Sequence, residues 1–338
     1  MACFWATSLE KIFGGVIAII SFRPEGWMQQ RAEVCYPFLS GSTGDSAKVR
    51  ASQGLWLAPP LEATTSLQRA VREGFATRRV VMDGASTSNR SPRTYLMFNG
   101  IDDRVEVSSS PLFSVATTGA LTASVWMMPQ LLTFSHSVKG YVHWLGKGTG
   151  FGNSGQQEWT FRMYNLVNDA NRPNLISFYV FNPEGRLGVG SYFEDPDDPV
   201  VAGQWMHFTG VADNGAITIY KNGIDTGHCF QYQGDGACPQ QFDAAGNRIV
   251  INPVAGSAPL RIGTQDGGSY FQGGIAALRI WSRALTNTEV CDLYQSNLVP
   301  PEGLVAQYLL DEGSGTVAVD TSGGNNNATI YGATWMTM

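Results

Sequence analysis

The sequence predicts an all-β protein, built as an antiparallel two-sheet sandwich behind a mostly irregular N-terminal arm. The 338 residues include 39 glycines and 16 prolines, and only 15% of them are charged. This composition is typical of many short strands joined by turns. From residue 93 onward, apolar runs of strand length recur between Gly, Asn and Pro. Regular short strands with such punctuation favour a sandwich.

Residues 1–92 are predicted to form the arm, which docks on the main domain or on a partner. The apolar run at 12–22 is shorter than the roughly 20 residues of a membrane span. A signal-peptide core and a buried or docked segment both remain open for it. Residues 61–75 favour one short helix. The remainder has no strong period, so it needs apolar surface elsewhere to offset its ordering entropy.

The clearest strand signals lie at 204–225. Asn214-Gly215 and Asn222-Gly223 are hairpin signals, because both central residues of a type I′ turn need positive φ. Between them, Ile217 and Ile219 alternate with polar or amphipathic residues, which is the period of a strand. The stretch predicts an antiparallel meander.

Further strands are predicted on both sides of the meander. A short helix is expected at 285–294, capped by Thr286 or Asn287 with Glu289 in its first turn. The predicted strands share apolar content and bounding turn residues, and they occupy 95–107 (with a central turn), 121–128, 141–147, 158–164, 175–181, 259–263 and 274–281.

An ordered set of motifs runs through these strands. In sequence these are Phe98-Asn-Gly-Ile-Asp-Asp-Arg-Val105, Leu121-Thr-Ala-Ser-Val-Trp126, Gly203-Gln-Trp-Met-His-Phe208, Ile219-Tyr-Lys-Asn-Gly223, Leu260-Arg-Ile-Gly263 and Phe271-Gln-Gly-Gly-Ile-Ala-Ala-Leu-Arg-Ile-Trp281. The succession resembles the laminin-G-like, concanavalin A-like lectin domain. The resemblance covers residues 93–338 and implies a jelly roll.

The C-terminal segment 304–338 resembles the segment that usually opens such domains, although here it comes last. One interpretation is circular permutation, in which these closing strands take their usual position within the same molecule. The other is strand donation to a neighbouring subunit.

The resemblance also implies calcium near the turn at 99–103. Asn99, Asp102 and Asp103 offer oxygens of the kind that Ca²⁺ requires. Relatives commonly carry acids where this chain has Ala276 and Ala277, so a solvated acidic turn is the alternative.

Five cysteines leave at least one without an intramolecular partner. Cys229 and Cys238 flank a glycine-containing loop that can bring their sulfurs together, which predicts a disulfide; two unpaired thiols are the alternative. The sequence names no partner for Cys3, Cys35 or Cys291.

Catalysis and nucleic-acid binding are not predicted. The net charge of −6 supplies no cationic footprint for nucleic acid. The chain lacks the paired-acid spacing of glycosidases on this fold, and it has no nucleophile elbow or phosphate loop. His207 is predicted to be a hydrogen-bonded sheet histidine.

By analogy with the fold, the expected ligand is a glycan. Five aromatic residues are candidates to stack on a sugar ring: Trp144, Trp159, Tyr164, Tyr192 and Phe193. Three other tryptophans lie in strand motifs and are assigned to the core: Trp126, Trp205 and Trp281.

The sequence therefore predicts a non-catalytic recognition or adhesion module that binds a glycan or a surface protein. It would act outside the cell, at a cell or virion surface. The alternative is a structural subunit of a virion, appendage or multisubunit complex, docked through residues 1–92. A carbohydrate-active enzyme is the third hypothesis.

Overall fold

A computed structural model gives the structure of the chain. It describes residues 91–133, 140–148, 157–165, 175–181, 199–225, 245, 253–265 and 267–338, together with the backbone of strands at 48–51, 54–57, 81–82, 188–193 and 227–232. The chain divides into two compact units, 1–89 and 90–338.

The first unit contains a small antiparallel sheet that the sequence did not predict. Its strands are β1 (Lys48–Ala51), β2 (Gly54–Leu57) and β3 (Val81–Met82), in the order β2-β1-β3. The apolar run at 12–22 and the predicted helix at 61–75 lie outside the described residues. Docking through residues 1–92 therefore stays a prediction.

The second unit is a sandwich of two antiparallel sheets, which confirms the predicted fold class. The eight-stranded sheet has the order β13-β12-β11-β6-β16-β4-β20, with β17 paired to β16. Its strands are β4 (Thr94–Asn99), β6 (Ala120–Pro129), β11 (Met206–Asp213), β12 (Ala216–Lys221), β13 (Ile224–Asp225), β16 (Gln272–Trp281), β17 (Leu304–Tyr308) and β20 (Thr334–Thr337).

The nine-stranded sheet has the order β14-β10-β9-β8-β7-β15-β5-β19-β18. Its strands are β5 (Arg104–Val107), β7 (Tyr141–Gly148), β8 (Gln157–Tyr164), β9 (Ile176–Phe181), β10 (Gly188–Phe193), β14 (Gly227–Tyr232), β15 (Leu260–Ile262), β18 (Val317–Ala318) and β19 (Ala328–Tyr331). One face of this sheet covers the core, and we call the opposite face its outer face.

The core lies between the sheets. It is formed by the side chains that point inward, mostly at alternate positions along each strand. Val105 and Val107 of β5 and Leu260 of β15 are fully buried there. The sheets approach closely at Gly210 of β11, where an added Cβ would lie 2.4 Å from ring carbons of Phe178. Any larger residue at position 210 would therefore force the two layers apart.

The predicted meander is confirmed. Strand β11 pairs antiparallel with β12 from Phe208↔Lys221 to Asp213↔Ala216. In the connecting turn Asn214 has φ of 46° and Gly215 has φ of 82°, as a type I′ turn requires.

The described part of this unit also contains three short helical segments. A 3-10 turn (Pro111–Phe113) and α1 (Val115–Thr118) precede β6. Helix α2 (Asn287–Ser296) is the predicted one: Thr286 caps it, and Glu289 closes a capping box. Its buried Val290 and Leu293 pack with Trp281 in a second, smaller apolar cluster. This cluster anchors α2 to the eight-stranded sheet.

The C-terminal segment pairs with strands of the same chain. Strand β17 lies beside β16, β19 beside β5, and β20 beside β4. Both sheets thus gain strands from residues 304–338. Within the described part of the chain, no helix combines the length and apolar character that crossing a bilayer would need.

Candidate functional site

Two of the predicted ligand-stacking residues, Trp144 and Trp159, are fully buried in the core, so that part of the prediction is wrong. The Trp144 ring lies 5.1 Å from the Phe161 ring, centre to centre. The indole N–H of Trp159 donates to the carbonyl oxygen of Phe113 at 2.8 Å. Both indoles fill the space between the sheets, so neither can present a ring face to a glycan.

Tyr164 is also buried, in a small cluster with Leu175 against the half-buried Tyr141. Its ring is 5.7 Å from the guanidinium carbon of Arg162. Tyr192 and Phe193 lie in β10, and their side chains are outside the described residues. Their predicted role in ligand binding remains a prediction.

The three tryptophans assigned to the core differ in their burial. Trp281 is fully buried, as predicted. Trp126 and Trp205 are only half-buried, so the prediction is wrong for them. Trp205 packs edge-on against Tyr95 at 5.0 Å, and Trp126 lies 5.1 Å from the ring of His207.

His207 is the hydrogen-bonded sheet histidine that the sequence predicts. Its Nε2 lies 2.7 Å from the Oγ of Ser124 on the adjacent strand. Complete burial, and to a lesser extent the charge of Arg279, lowers the pKa of His207 to about 3. The ring is therefore neutral at physiological pH and stabilises the sheet without taking up charge.

The turn at 99–103 is folded around its own side chains. The Oδ1 of Asn99 accepts the backbone N–H groups of Ile101, Asp102 and Asp103 at 2.8, 3.2 and 3.3 Å. The side-chain amide of Asn99 donates to Asp102 Oδ1 at 2.9 Å, and Asp103 Oδ2 accepts the backbone N–H of Asn99 at 2.8 Å.

This arrangement does not fit Ca²⁺. The oxygen of Asn99 is already occupied by three donors, and burial raises the pKa of Asp103, so its charged form is disfavoured. A Cβ at Gly332 would lie 2.1 Å from Asp103 Oδ1, so backbone fills that side of the carboxyl group. Among the described residues, no three His, Cys, Asp or Glu side chains gather as metal ligands. Calcium at this turn stays a prediction without geometric support.

The predicted pairing of Cys229 with Cys238 falls on side chains outside the described residues. Cys291, for which the sequence names no partner, is disulfide-bonded. This buried cysteine of α2 is the only one whose side chain belongs to the described part, so its partner lies elsewhere in the chain.

A row of polar and aromatic side chains crosses the outer face of the nine-stranded sheet. It is formed by Tyr331 of β19, Arg104 and Glu106 of β5, and Arg261 of β15, and we call it the polar row. Because Val105, Leu260 and Ile330 point into the core, their neighbours in each strand point outward. The register aligns Tyr331 with Arg104 and Glu106 with Arg261, so residues from three strands become neighbours.

The polar row is held together by one shared carboxylate. Arg104 Nε and Arg261 Nε each donate to Glu106 Oε1 at 3.0 Å. Burial alone would raise the pKa of Glu106, but the hydrogen bonds and charges of the two arginines outweigh it and lower that pKa. The carboxylate therefore stays ionised. Within the described part of the chain, its Oε2 receives no hydrogen bond.

Tyr331 ends the polar row as an accessible aromatic surface. The guanidinium carbon of Arg104 lies 4.3 Å from the ring centre and covers one face. The residue remains 41% exposed, whereas the side chains of Arg104, Glu106 and Arg261 are 31%, 27% and 17% exposed. Exposure therefore falls along the polar row, from the ring of Tyr331 to the partly enclosed guanidinium of Arg261.

Two buried carboxamides lie beyond Arg261. Arg261 Nη1 donates to the carbonyls of Gly148 and Gln265, both at 3.0 Å. The Gln265 side chain passes over Gly146, where an added Cβ would lie 3.0 Å from its Cγ. Gln157 stands opposite Gly148 in the register. The amide atoms of Gln157 and Gln265 are buried, and within the described part of the chain they have no hydrogen-bond partner. Such unpaired groups cost stability, which is typical of sites kept for function.

The sequence carries a partial signal for the polar row. In 104–107, 260–262 and 329–331, polar or aromatic residues alternate with aliphatic ones. This alternation places Arg104, Glu106, Arg261 and Tyr331 on an outward face. It does not place them together, because that requires the register of three strands far apart in the sequence.

Comparison with known proteins agrees with this architecture. The profile of the concanavalin A-like lectin/glucanases superfamily matches residues 99–291, more than half of the chain. No curated protein matches the chain.

The solved structures that are similar to the chain include proteins from three different sources. A protein from Bacteroides ovatus, provisionally described as carbohydrate binding, has 17% identity and a TM-score of 0.46, over 89% of this chain and 90% of that one. A heptameric SAP-like pentraxin from Limulus polyphemus has 16% identity and a TM-score of 0.40, over 71% and 94%. Tailspike protein 2 of bacteriophage CBA120 has 14% identity and a TM-score of 0.39, over 68% and 35%.

The profile match and the two antiparallel sheets lead to one conclusion about ancestry. The chain belongs to the concanavalin A-like lectin/glucanases superfamily.

Proposed function

We propose that the protein is a non-catalytic recognition module that binds a glycan at the polar row. The observation that carries this proposal is the exposed ring of Tyr331, fixed on one face by Arg104 and followed directly by Glu106 and Arg261. The combination offers an apolar platform next to fixed donors and a fixed acceptor. Sugars require this combination, because they have apolar C–H faces and polar hydroxyl edges.

Each group in the polar row has a distinct task in this proposal. The open face of Tyr331 stacks on the C–H face of a sugar ring. Glu106 Oε2, which has no donor in the described structure, accepts hydroxyl protons. The two Nη groups of Arg104 and the Nη2 group of Arg261, which have no acceptor in the described structure, donate to hydroxyl oxygens. Because Glu106 and both arginines already hold one another, little side-chain entropy is lost on binding.

The electrostatics of the row support binding without hydrolysis. Glycoside hydrolysis usually needs two carboxyl groups across the scissile bond, one of them protonated. Glu106 is the only carboxylate of the row, and its lowered pKa keeps it ionised at neutral pH. It is therefore poorly suited to act as a general acid.

The proposed place of action is the extracellular space, at a cell or virion surface where glycans are displayed. Superfamily membership supports a glycan as the ligand class, which is an argument by analogy from fold to function. A protein partner on the same surface and a structural role through residues 1–92 remain alternative predictions.

The test is a glycan array followed by calorimetric titration of the best ligand. Tyr331→Ala and Glu106→Gln should each weaken binding by roughly tenfold or more, the loss of about 1.4 kcal/mol. Val317→Ala, an equally exposed apolar residue on neighbouring β18, is the matched control and should bind as the wild type does. Absence of binding on a broad array, or equal affinity of all three variants, would remove the proposal.

A further inference from the structure

The eight-stranded sheet ends in an open edge at β20. This strand is last in the sheet order, and its single partner there is β4. Three of its four residues are exposed, and the fourth, Trp335, is half-buried against the core. An open edge presents backbone N–H and C=O groups that another strand can pair with.

The register shows which backbone groups of β20 face outward. Met338 N–H donates to the carbonyl of Arg93 at 2.9 Å, on the same register that pairs Met336 with Tyr95. In antiparallel pairing, alternate residues bond the neighbouring strand and the others point away from it. Trp335 and Thr337 therefore direct their N–H and C=O groups away from β4. Within the described structure, nothing pairs with them.

Strand β20 lacks the usual protection of a sheet edge. Of the other three strands that end the two sheets, β13 and β18 have only two residues each, whereas β14 has six. Residues 334–338 (Thr-Trp-Met-Thr-Met) contain no charged side chain, no proline and no glycine. Charged residues, prolines and bulges are the usual means of keeping an edge unpaired. Here Met336 is 39% exposed and Met338 is 64% exposed.

We propose that β20 pairs with β20 of a second copy of this chain, antiparallel about a two-fold axis at Met336. In this register Trp335 faces Thr337 of the partner copy, and Thr337 faces the partner's Trp335. Every outward N–H and C=O of the two residues then has a partner, which no register shifted along the strand achieves. The strand is its own complement, so a second copy satisfies it fully.

The same register covers the exposed methionines. Residues directly opposite each other in an antiparallel pair have side chains on the same face of the sheet. The Met336 side chains of the two copies therefore meet at the axis, and each Met338 lies opposite Thr334 of the other copy. The apolar surface that is exposed in one copy becomes buried between two.

Sedimentation velocity of the full chain over a wide concentration range tests the proposal. The wild type should shift from monomer to dimer as concentration rises. Thr337→Pro removes an outward N–H without removing a bond to β4, so it should abolish the dimer while the melting temperature stays close to that of the wild type. A wild type that remains monomeric at the highest concentration would overturn the proposal.

A cross-link tests the register. Opposite residues without mutual hydrogen bonds have Cα atoms about 4.5 Å apart, within disulfide range. Met336→Cys should give a covalent dimer under air oxidation, whereas the wild type and the matched variant Val317→Cys should not. A dimer that survives Thr337→Pro, or equal cross-linking at positions 317 and 336, would contradict the pairing. The polar row lies on the other sheet, so glycan affinity per chain should be the same in Thr337→Pro.

Discussion

The guanidinium of Arg104 lies 4.3 Å from the ring centre of Tyr331, on a strand that is its neighbour only in space. The contact fixes an exposed ring that would otherwise rotate freely. Arg104 is itself fixed by Glu106, so the orientation of the ring depends on the whole polar row.

We therefore predict that Arg104→Gln weakens glycan binding several-fold although Tyr331 is retained. The partly exposed cation–π contact contributes about 0.5–1 kcal/mol, so stability should change by no more than that. Calorimetric titration and thermal unfolding measure the two effects. Arg283→Gln, which removes an equally exposed arginine from the α2 capping network, is the control and should leave binding unchanged. Equal loss of affinity in both variants would contradict the role of Arg104.

Trp159 should matter for stability and not for ligand affinity. In Trp159→Phe the ring still fills much of the core, but the Phe113 carbonyl loses its indole donor. An unsatisfied buried acceptor costs about 1–3 kcal/mol. Urea unfolding should show this loss, and titration should show the wild-type affinity. A Trp159→Phe variant that folds stably but no longer binds glycan would show that Trp159 contributes to ligand binding.

Lys147 and Glu158 form a buried ion pair, so the stability losses caused by replacing each residue should not be additive. Lys147 Nζ lies 2.5 Å from Glu158 Oε1 and also donates to the Gly256 carbonyl. Lys147→Met leaves a buried carboxylate without its cation, at a cost of about 3–5 kcal/mol. The double variant Lys147→Met/Glu158→Gln should be more stable than Lys147→Met alone. Additive losses in urea unfolding would show that the two side chains act independently.

His207 should make the fold sensitive to mild acid. Its pKa is about 3 in the folded state and 6.5 in the unfolded state, so unfolding takes up a proton below pH 6.5. The stabilisation is complete above pH 6.5 and is lost as the pH falls toward 3. The loss in unfolding free energy caused by His207→Gln at pH 7.5 should be smaller by roughly 3 kcal/mol at pH 4.5. A deficit that is constant between these pH values would show that His207 does not titrate in this way.

Glu289 should add a second sensitivity to acid, at lower pH. The hydrogen bond from Arg283, followed by those from Thr286, lowers its pKa from 4.5 to about 2. Its contribution is therefore present above pH 4.5 and is lost as the pH falls toward 2. Glu289→Gln should be less stable than the wild type at pH 7, with a difference that vanishes near pH 2. Thr286→Ala, which removes the cap, should cost about 1 kcal/mol across this range.

Local patterns were enough to predict the sandwich. The turns at Asn214 and Asn222 and the alternation around Ile217 are properties of a few consecutive residues, and the structure confirms them. The helix at 287–296 could also be predicted from local sequence, because its capping box lies within four residues.

The proposed ligand site was not predictable in the same way. Trp144 and Leu145 both point into the core because β7 has a bulge between His143 and Leu145, so simple alternation fails there. Tyr331 and Arg104 become neighbours only through the pairing of β19 with β5. No local pattern contains that register, and three of the aromatic residues that stand out in the sequence, Trp144, Trp159 and Tyr164, are buried.

Site-resolved NMR during titration with the best glycan from the array tests glycan recognition at the polar row most directly. We expect the amide signals of Tyr331, Glu106 and Arg261 to shift with the bound fraction, while those around Trp335 on the other sheet do not. Shifts confined to another surface, with the signals of β5, β15 and β19 unchanged, would contradict it.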